Sequence, residues 1–248
     1  IFDKWIYTKL DQAIQDINKY MDALDICQAI NRMYSFVWDD FCDYYIELTK
    51  PYVYNENKEI RANAVAVLKD VYINILKLLH PIIPFITEDI YSNFGSGFLM
   101  EQSYAKSVGT FEKETKQVEQ IIDLIQKIRE VRLNLDVAPA KRITLIANKN
   151  MKVENLETLN NATLVLSKMT NIEKIDLIEN LTEEVISFIT TLGEFNFYKS
   201  EVVDSEKERE RLNKDLEKIT AEMNLLGTRL NNPNFVNRAP AELVKKEQ

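Results

Sequence analysis

Tyr34-Ser35-Phe36-Val37-Trp38-Asp39-Asp40-Phe41-Cys42-Asp43-Tyr44-Tyr45-Ile46-Glu47-Leu48-Thr49-Lys50-Pro51 is the stretch on which the fold turns. Its apolar positions Phe36, Val37, Phe41, Tyr44, Tyr45 and Leu48 continue the run Ala29, Ile30 and Met33 at helical spacing. Aromatic rings fall on more than one face, so one face packs inward and another is left for solvent or a partner. The helix is expected to end at Lys50-Pro51, because proline disfavours the helical region for the residue before it.

Upstream, Trp5, Ile6, Leu10, Ala13, Ile14, Ile17, Met21 and Leu24 share one helical face over residues 1 to 24. Downstream, polar residues 54 to 59 connect to a third helix carrying Ala64, Val65, Leu68, Val71, Tyr72, Ile75, Leu78 and Leu79, stopped by His80-Pro81. Pro84 opens a short fourth helix with Phe85, Ile86, Ile90 and Tyr91 as its expected apolar face. Residues 93 to 110 hold Gly95, Gly97 and Gly109 and read as a loop. A further helix spans about 113 to 134, through Val118, Ile121, Ile122, Ile125, Ile128 and Val131.

The period then changes. Arg142 to Ala147 alternates as a strand, 153 to 167 reads as a helix, Ile172 to Leu177 as a strand, and Val185 to Thr190 with Glu194 to Tyr198 as a hairpin around Gly193. Beyond Val203, Leu212, Leu216, Ile219, Met223, Leu226 and Leu230 recur at alternating spacings of four and three, a coiled-coil seam. Asn231-Asn232-Pro233-Asn234 breaks it, and Ala239-Pro240-Ala241-Glu242 begins a second arm. The fold class is mainly α: an antiparallel helical bundle over 1–112, a helix plus small α+β subdomain over 113–200, and a coiled-coil hairpin over 201–248 whose second arm is truncated. Ile1 and Gln248 both fall inside helical patterns, so the chain reads as a piece of a longer protein.

Composition narrows the chemistry. The 248 residues carry a net charge of −8, which argues against a broad basic face coating nucleic acid; any RNA contact is local. Five glycines leave little room for a glycine-rich phosphate cradle. Cys27 and Cys42 form no Cys-x-x-Cys pair, which suits a reducing cytosol and supplies no zinc ribbon. No apolar run reaches the ~18 residues of a membrane span. His80 is the single histidine, cannot build a metal cluster, and reads as a packing or capping residue. Asp39-Asp40 and Glu183-Glu184 are adjacent in sequence, so their carboxylates diverge and make poor acid–base pairs. No catalytic or metal-binding residue is assigned.

For RNA, exposed Trp and Tyr of the aromatic helix would stack on unpaired bases while carboxylates accept from base amino groups; the plainer reading of the same rings is core packing. Lys127, Arg129, Arg132, Lys141 and Arg142 form the densest basic segment, with Arg129 and Arg132 on one helix face for phosphates or, alternatively, for pairing with Glu130 or Asp136. Arg229, Arg238, Lys245 and Lys246 cluster near the hairpin tip, where they serve a partner or simply solubility.

Four strings together resemble the valyl-tRNA synthetase family of class I aminoacyl-tRNA synthetases: Tyr34 to Pro51, Leu79 to Glu88 (LHPIIPFITE), Ile128 to Lys141 (IREVRLNLDVAPAK) and Leu230 to Glu242 (LNNPNFVNRAPAE). They occur in the family's order over nearly the whole chain. The first two are shared with the isoleucyl and leucyl enzymes; the last separates the valyl family from them.

The resemblance implies an anticodon-binding bundle followed by a coiled coil against the outer corner of tRNA(Val). It implies anticodon contacts from Ile46, Glu47 and Lys50, with Trp38 and Asp39 weaker, and backbone contacts from Arg129, Arg132, Arg229 and Arg238. It also implies a full-length cytoplasmic monomer that joins L-valine to tRNA with ATP and Mg. The "HIGH" and "KMSKS" signatures of that chemistry are not in this sequence, so this chain is expected to need no cofactor and to be inactive alone. Two rival readings are the equivalent part of an isoleucyl or leucyl enzyme, and a coiled-coil protein-interaction module self-associating through the seam.

Overall fold

A computed structural model of the chain describes residues 1–107, 109–181 and 183–203, together with Asn213, residues 216–221, Met223 and Asn224. The first long helix, α1 (Phe2–Asp22), buries Trp5, Ile6, Leu10, Ala13, Ile14 and Ile17 at the expected spacing. Asp25 then caps α2 (Ile26–Ser35), its carboxylate accepting from the Gln28 amide at 3.2 Å. Such a cap satisfies an amide that the helix cannot pair internally.

From Phe36 to Tyr45 the helix widens to a π-helix, then returns to α-helical form as α3 (Ile46–Val53). The buried positions explain the change of pitch. Met33, Phe36, Phe41, Tyr45 and Leu48 are all buried, and the step from Phe36 to Phe41 is five residues. In an α-helix that step rotates a side chain well off the core face; in a π-helix, with its i→i+5 bonds, it returns to the same face. Pro51 does not end the helix as expected. It lies in the last turn of α3, which runs on to Val53, and Thr49 Oγ1 donates to the carbonyls of Tyr45 and Ile46 one turn earlier. A proline in a final turn forfeits one backbone hydrogen bond, not a continuing ladder.

Asn57 caps α4 (Lys58–Leu79), accepting from the Glu59 amide at 2.9 Å. Next comes α5 (Pro84–Tyr91), with Pro84 in the first turn as expected. Its buried face differs from the expected one. Thr87 and Tyr91 are buried, whereas Phe85 is 90% exposed and Ile86 57%. Thr87 is held by polar bonds: its hydroxyl donates to the carbonyls of Ile83 and Pro84 and lies 2.8 Å from His80 Nδ1.

The following loop is pinned along its length. Glu88 Oε1 accepts from the Leu99 amide at 2.7 Å, and Leu99 packs with Leu76 and Tyr91. Buried Asp11 accepts from Ser107 and from the Gly109 amide, and Thr8 Oγ1 accepts from the Phe111 amide at 2.9 Å.

Helix α6 (Glu112–Asn134) packs against both α1 and α7 (Val153–Thr170). A four-stranded mixed sheet follows: β1 (Ile143–Asn148), β2 (Ile172–Ile178), β3 (Val185–Thr190) and β4 (Gly193–Tyr198), in the order β2-β1-β4-β3. β1 and β2 are parallel and joined through α7; β4 runs antiparallel to β1 and to β3. Gly193 closes the hairpin at φ 146°, a conformation side chains oppose. Asp123 of α6 anchors that turn through the Thr191 amide and hydroxyl at 2.7 and 2.8 Å.

Residues Ile1–Tyr198 form one compact unit. The second unit begins at Lys199 with the short helix α8 (Lys199–Val202). Its described residues from the seam, Leu216, Ile219 and Met223, are helical and 66%, 59% and 68% exposed. Leu212, Leu226, Leu230 and the hairpin turn lie outside the described residues. The architecture is the expected one: mainly helical, with a small α+β element after the bundle.

Candidate nucleic-acid interface

Glu47 and Lys50 are one turn apart on α3, and the Lys50 ammonium donates to Glu47 Oε1 at 2.5 Å. Both line a groove of about 620 Å3 between the end of α3 and the end of α7. Pro51, Tyr54, Asn55 and Glu56 continue the α3 wall; Leu164, Lys168 and Met169 form the α7 wall. The volume lies in the usual range for small-ligand clefts, about 300–1,000 Å3. Tyr54 is 81% exposed and Leu164 44%, so the groove combines an open aromatic ring with an apolar patch.

Arg129 reaches the rim from α6. It is exposed, and its guanidinium donates to the Met169 carbonyl at 3.3 Å. Three of the residues singled out from sequence, Glu47, Lys50 and Arg129, therefore gather around the end of α7. Ile46 is half-buried and does not line the groove.

Trp38 and Asp39 sit more than a turn earlier on the same helix, in the π-helical stretch. Trp38 is 54% exposed and stacks on Tyr34, ring centroids 6.2 Å apart and planes 11° from parallel. Asp39 accepts from the Ser35 hydroxyl at 2.9 Å. These two make a separate surface that is not part of the groove.

Arg132 has a different place from the one expected. It is only 7% exposed, and its Nη2 donates to the carbonyls of Ala138, Pro139 and Lys141 at 2.9, 3.2 and 2.9 Å. Burial lowers its pKa. Its guanidinium braces the loop between α6 and β1 and is not on the surface with Arg129. The reason is the turn at the end of α6: Asp136 takes φ 51° and folds the following residues back over Arg132. Arg229 and Arg238 lie outside the described residues.

Residues 3–147 match the family model for the anticodon-binding domain of tRNA ligases, and residues 204–248 match that for the valyl-tRNA synthetase tRNA-binding arm. The chain belongs to the anticodon-binding domain family of tRNA ligases. The groove at the end of α3 lies in the matched anticodon-binding domain on one wall and beyond it on the other. The chain is 34% identical to the valine–tRNA ligase of Carboxydothermus hydrogenoformans, 32% to that of Streptococcus mutans and 30% to that of Clostridium perfringens. Each match covers 99% or more of this chain and 28% of the relative. The chain thus spans little more than a quarter of the length of these relatives.

Sequence reasoning missed Tyr54 and Lys168 of the groove. Tyr54 follows Pro51 where a connection was expected, and Lys168 lies in a helix that carried no other RNA signal. Only the packing of α3 against α7 brings them together. Among the described residues no group of three or more His, Cys, Asp or Glu is placed to hold a metal ion, and no helix is long and apolar enough to cross a membrane.

Proposed function

We propose that this chain is the tRNA(Val)-recognising part of a valine–tRNA ligase. The observation that carries the reading is the pairing, in order along one chain, of an anticodon-binding domain with the valyl-type tRNA-binding arm. The full-length protein then attaches L-valine to tRNA(Val) with ATP and Mg, as a cytoplasmic monomer. This part supplies recognition and no cofactor.

The mechanism is division between two kinds of contact: base contacts specify and phosphate contacts position. Glu47 is suited to accept from a base amino group while Lys50 and Arg129 meet phosphates. With a net charge of −8, specificity has to come from such local contacts, because general attraction to RNA is weak. The test is binding of the purified chain to tRNA(Val) and to the same tRNA with an altered anticodon, at about 50 and about 200 mM salt. A preference for the intact anticodon that persists at the higher salt supports the reading. Equal binding that disappears with salt overturns it for this chain.

The exposed Leu216, Ile219 and Met223 favour a second reading, self-association through the seam. Sedimentation showing a concentration-dependent mass supports that reading; a monomer at all concentrations removes it.

A further inference from the structure

Helix α5 turns its larger apolar side chains outward. Phe85 is the most exposed large apolar residue among those described, and Ile86 and Ile83 are exposed beside it. Phe98 and Met100, on the loop that follows, are each more than half exposed. Glu88, one turn beyond Phe85, accepts from the Leu99 and Met100 amides at 2.7 and 3.4 Å, so this loop is tied alongside the helix. Single exposed apolar residues are ordinary, but five large ones on two adjoining segments mark a binding surface.

The face is held in shape from behind. Pro84 begins α5, Thr87 and Tyr91 are buried on its inner side, and Leu99 packs with Leu76 and Tyr91. The rings are therefore presented on a fixed base, which lowers the ordering cost of binding.

Charge narrows what the face takes up. Residues 78–105 contain no lysine or arginine, whereas Glu88, Asp89 and Glu101 are acidic. Contacts to phosphate need cations, so this face is unsuited to RNA and to an anionic lipid surface alike. An apolar surface without cations suits a permanent protein interface, which resembles a domain core cut in half. Protein to fill it is at hand on the relatives' scale: the chain spans 28% of each similar valine–tRNA ligase, so most of their length lies outside it.

We propose that the α5 face, formed by Ile83, Phe85, Ile86, Phe98 and Met100, seats another domain of the full-length protein. The contact is apolar and permanent, and it lies away from the α3–α7 groove, whose lining shares no residue with it. The proposal rests on the reading of the chain as one part of a valine–tRNA ligase.

Hydroxyl-radical footprinting of this chain and of the full-length protein tests it, because the reaction reports side-chain exposure. Phe85, Phe98 and Met100 are expected to react readily in this chain and to lose most of that reactivity in the full-length protein. Phe85→Glu in the full-length protein should restore the reactivity of Met100, and Met100→Glu that of Phe85. In this chain neither substitution should alter the footprint or the thermal midpoint. Equal reactivity of the three residues in both proteins overturns the proposal. Protection in this chain that grows with its concentration gives the face to a second copy, and protection of this chain by added tRNA gives it to RNA; either result also overturns it. Protection in a full-length protein that does not attach valine to tRNA keeps the seat and removes the ligase reading.

Discussion

Arg132 Nη2 and the carbonyl oxygen of Lys141 are 2.9 Å apart, and that bond closes the loop between the last helix of the bundle and the first strand of the sheet. The same nitrogen also reaches Ala138 and Pro139, so one side chain holds most of the loop. Arg132→Ala is expected to cost about 2–4 kcal/mol of stability, because three carbonyls lose a charged donor and a cavity opens. Arg132→Lys is expected to recover part of that loss, since all three carbonyls converge on one nitrogen and an ammonium carries three N–H donors, on a shorter side chain. Urea denaturation of the three proteins measures both. If Arg132→Ala alters RNA affinity and leaves stability unchanged, the bracing role is wrong.

Tyr45 is fully buried, and its hydroxyl donates to Asp3 Oδ1 at 2.9 Å. Burial, first, and the Asp3 charge, second, push the phenol well above its ordinary pKa of about 10. The folded state therefore keeps a proton that the unfolded chain releases above pH ~10. Stability is fully present below that pH and falls as pH rises through the alkaline range, by about 1.4 kcal/mol per pH unit for each such tyrosine. Tyr7, raised by burial and by its bond to Asp70, adds to the fall. Tyr45→Phe is expected to lose about 1–2 kcal/mol at pH 7 and to show a shallower alkaline decline. Denaturant midpoints between about pH 7 and 11 supply the comparison; an unchanged alkaline slope in the variant contradicts the assignment.

The short helix α5 reverses the usual expectation for its residues. Phe85 is 90% exposed while Thr87 is buried against His80. Thr87 Oγ1 lies within hydrogen-bonding distance of the Ile83 and Pro84 carbonyls and of His80 Nδ1, so one buried hydroxyl ties the helix start to the histidine. Phe85→Ser should change stability by less than about 0.5 kcal/mol, as for surface positions generally. Thr87→Val should cost about 1–3 kcal/mol by orphaning buried partners. Thermal unfolding of each variant distinguishes them, and a Phe85→Ser variant that is the less stable of the two would show that the ring has a partner within the chain.

The bundle was legible because its helices repeat apolar residues at regular spacing and have recognisable ends at His80-Pro81 and Pro84. The strand–helix–strand and hairpin pattern was legible for the same reason, through a change of period near residue 142. Two features were not. Five-residue spacing between Phe36 and Phe41 looks like an irregular α-helix until the chain adopts a π-helix to bury both. Phe85 and Ile86 look like core because a side chain's apolar character does not say which way a two-turn helix faces. In the groove, Glu47 and Lys50 were already candidates from a resemblance in sequence. Tyr54 and Lys168 were not, since they are more than a hundred positions apart and meet only through packing of α3 on α7. Arg132 shows the converse: its charge suggested a phosphate, and its surroundings are three backbone carbonyls.

Glu47 and Lys50 hold each other at 2.5 Å, and that pair should divide specificity from affinity. The bond is exposed, so its own contribution to stability is small. Lys50→Ala is expected to weaken binding to matched and altered anticodons alike, and to reduce the salt slope by about one, because a phosphate contact carries no sequence information. Glu47→Gln acts oppositely. It frees Lys50 for phosphate, removes one negative charge from the groove and replaces a carboxylate acceptor by an amide. Overall affinity for RNA should rise at low salt while the preference for the intact anticodon falls. Titrations of both variants with tRNA(Val) and an anticodon-altered tRNA(Val), at two salt concentrations, separate the two effects. A Glu47→Gln protein that keeps full discrimination removes Glu47 from base reading and leaves it only the task of orienting Lys50.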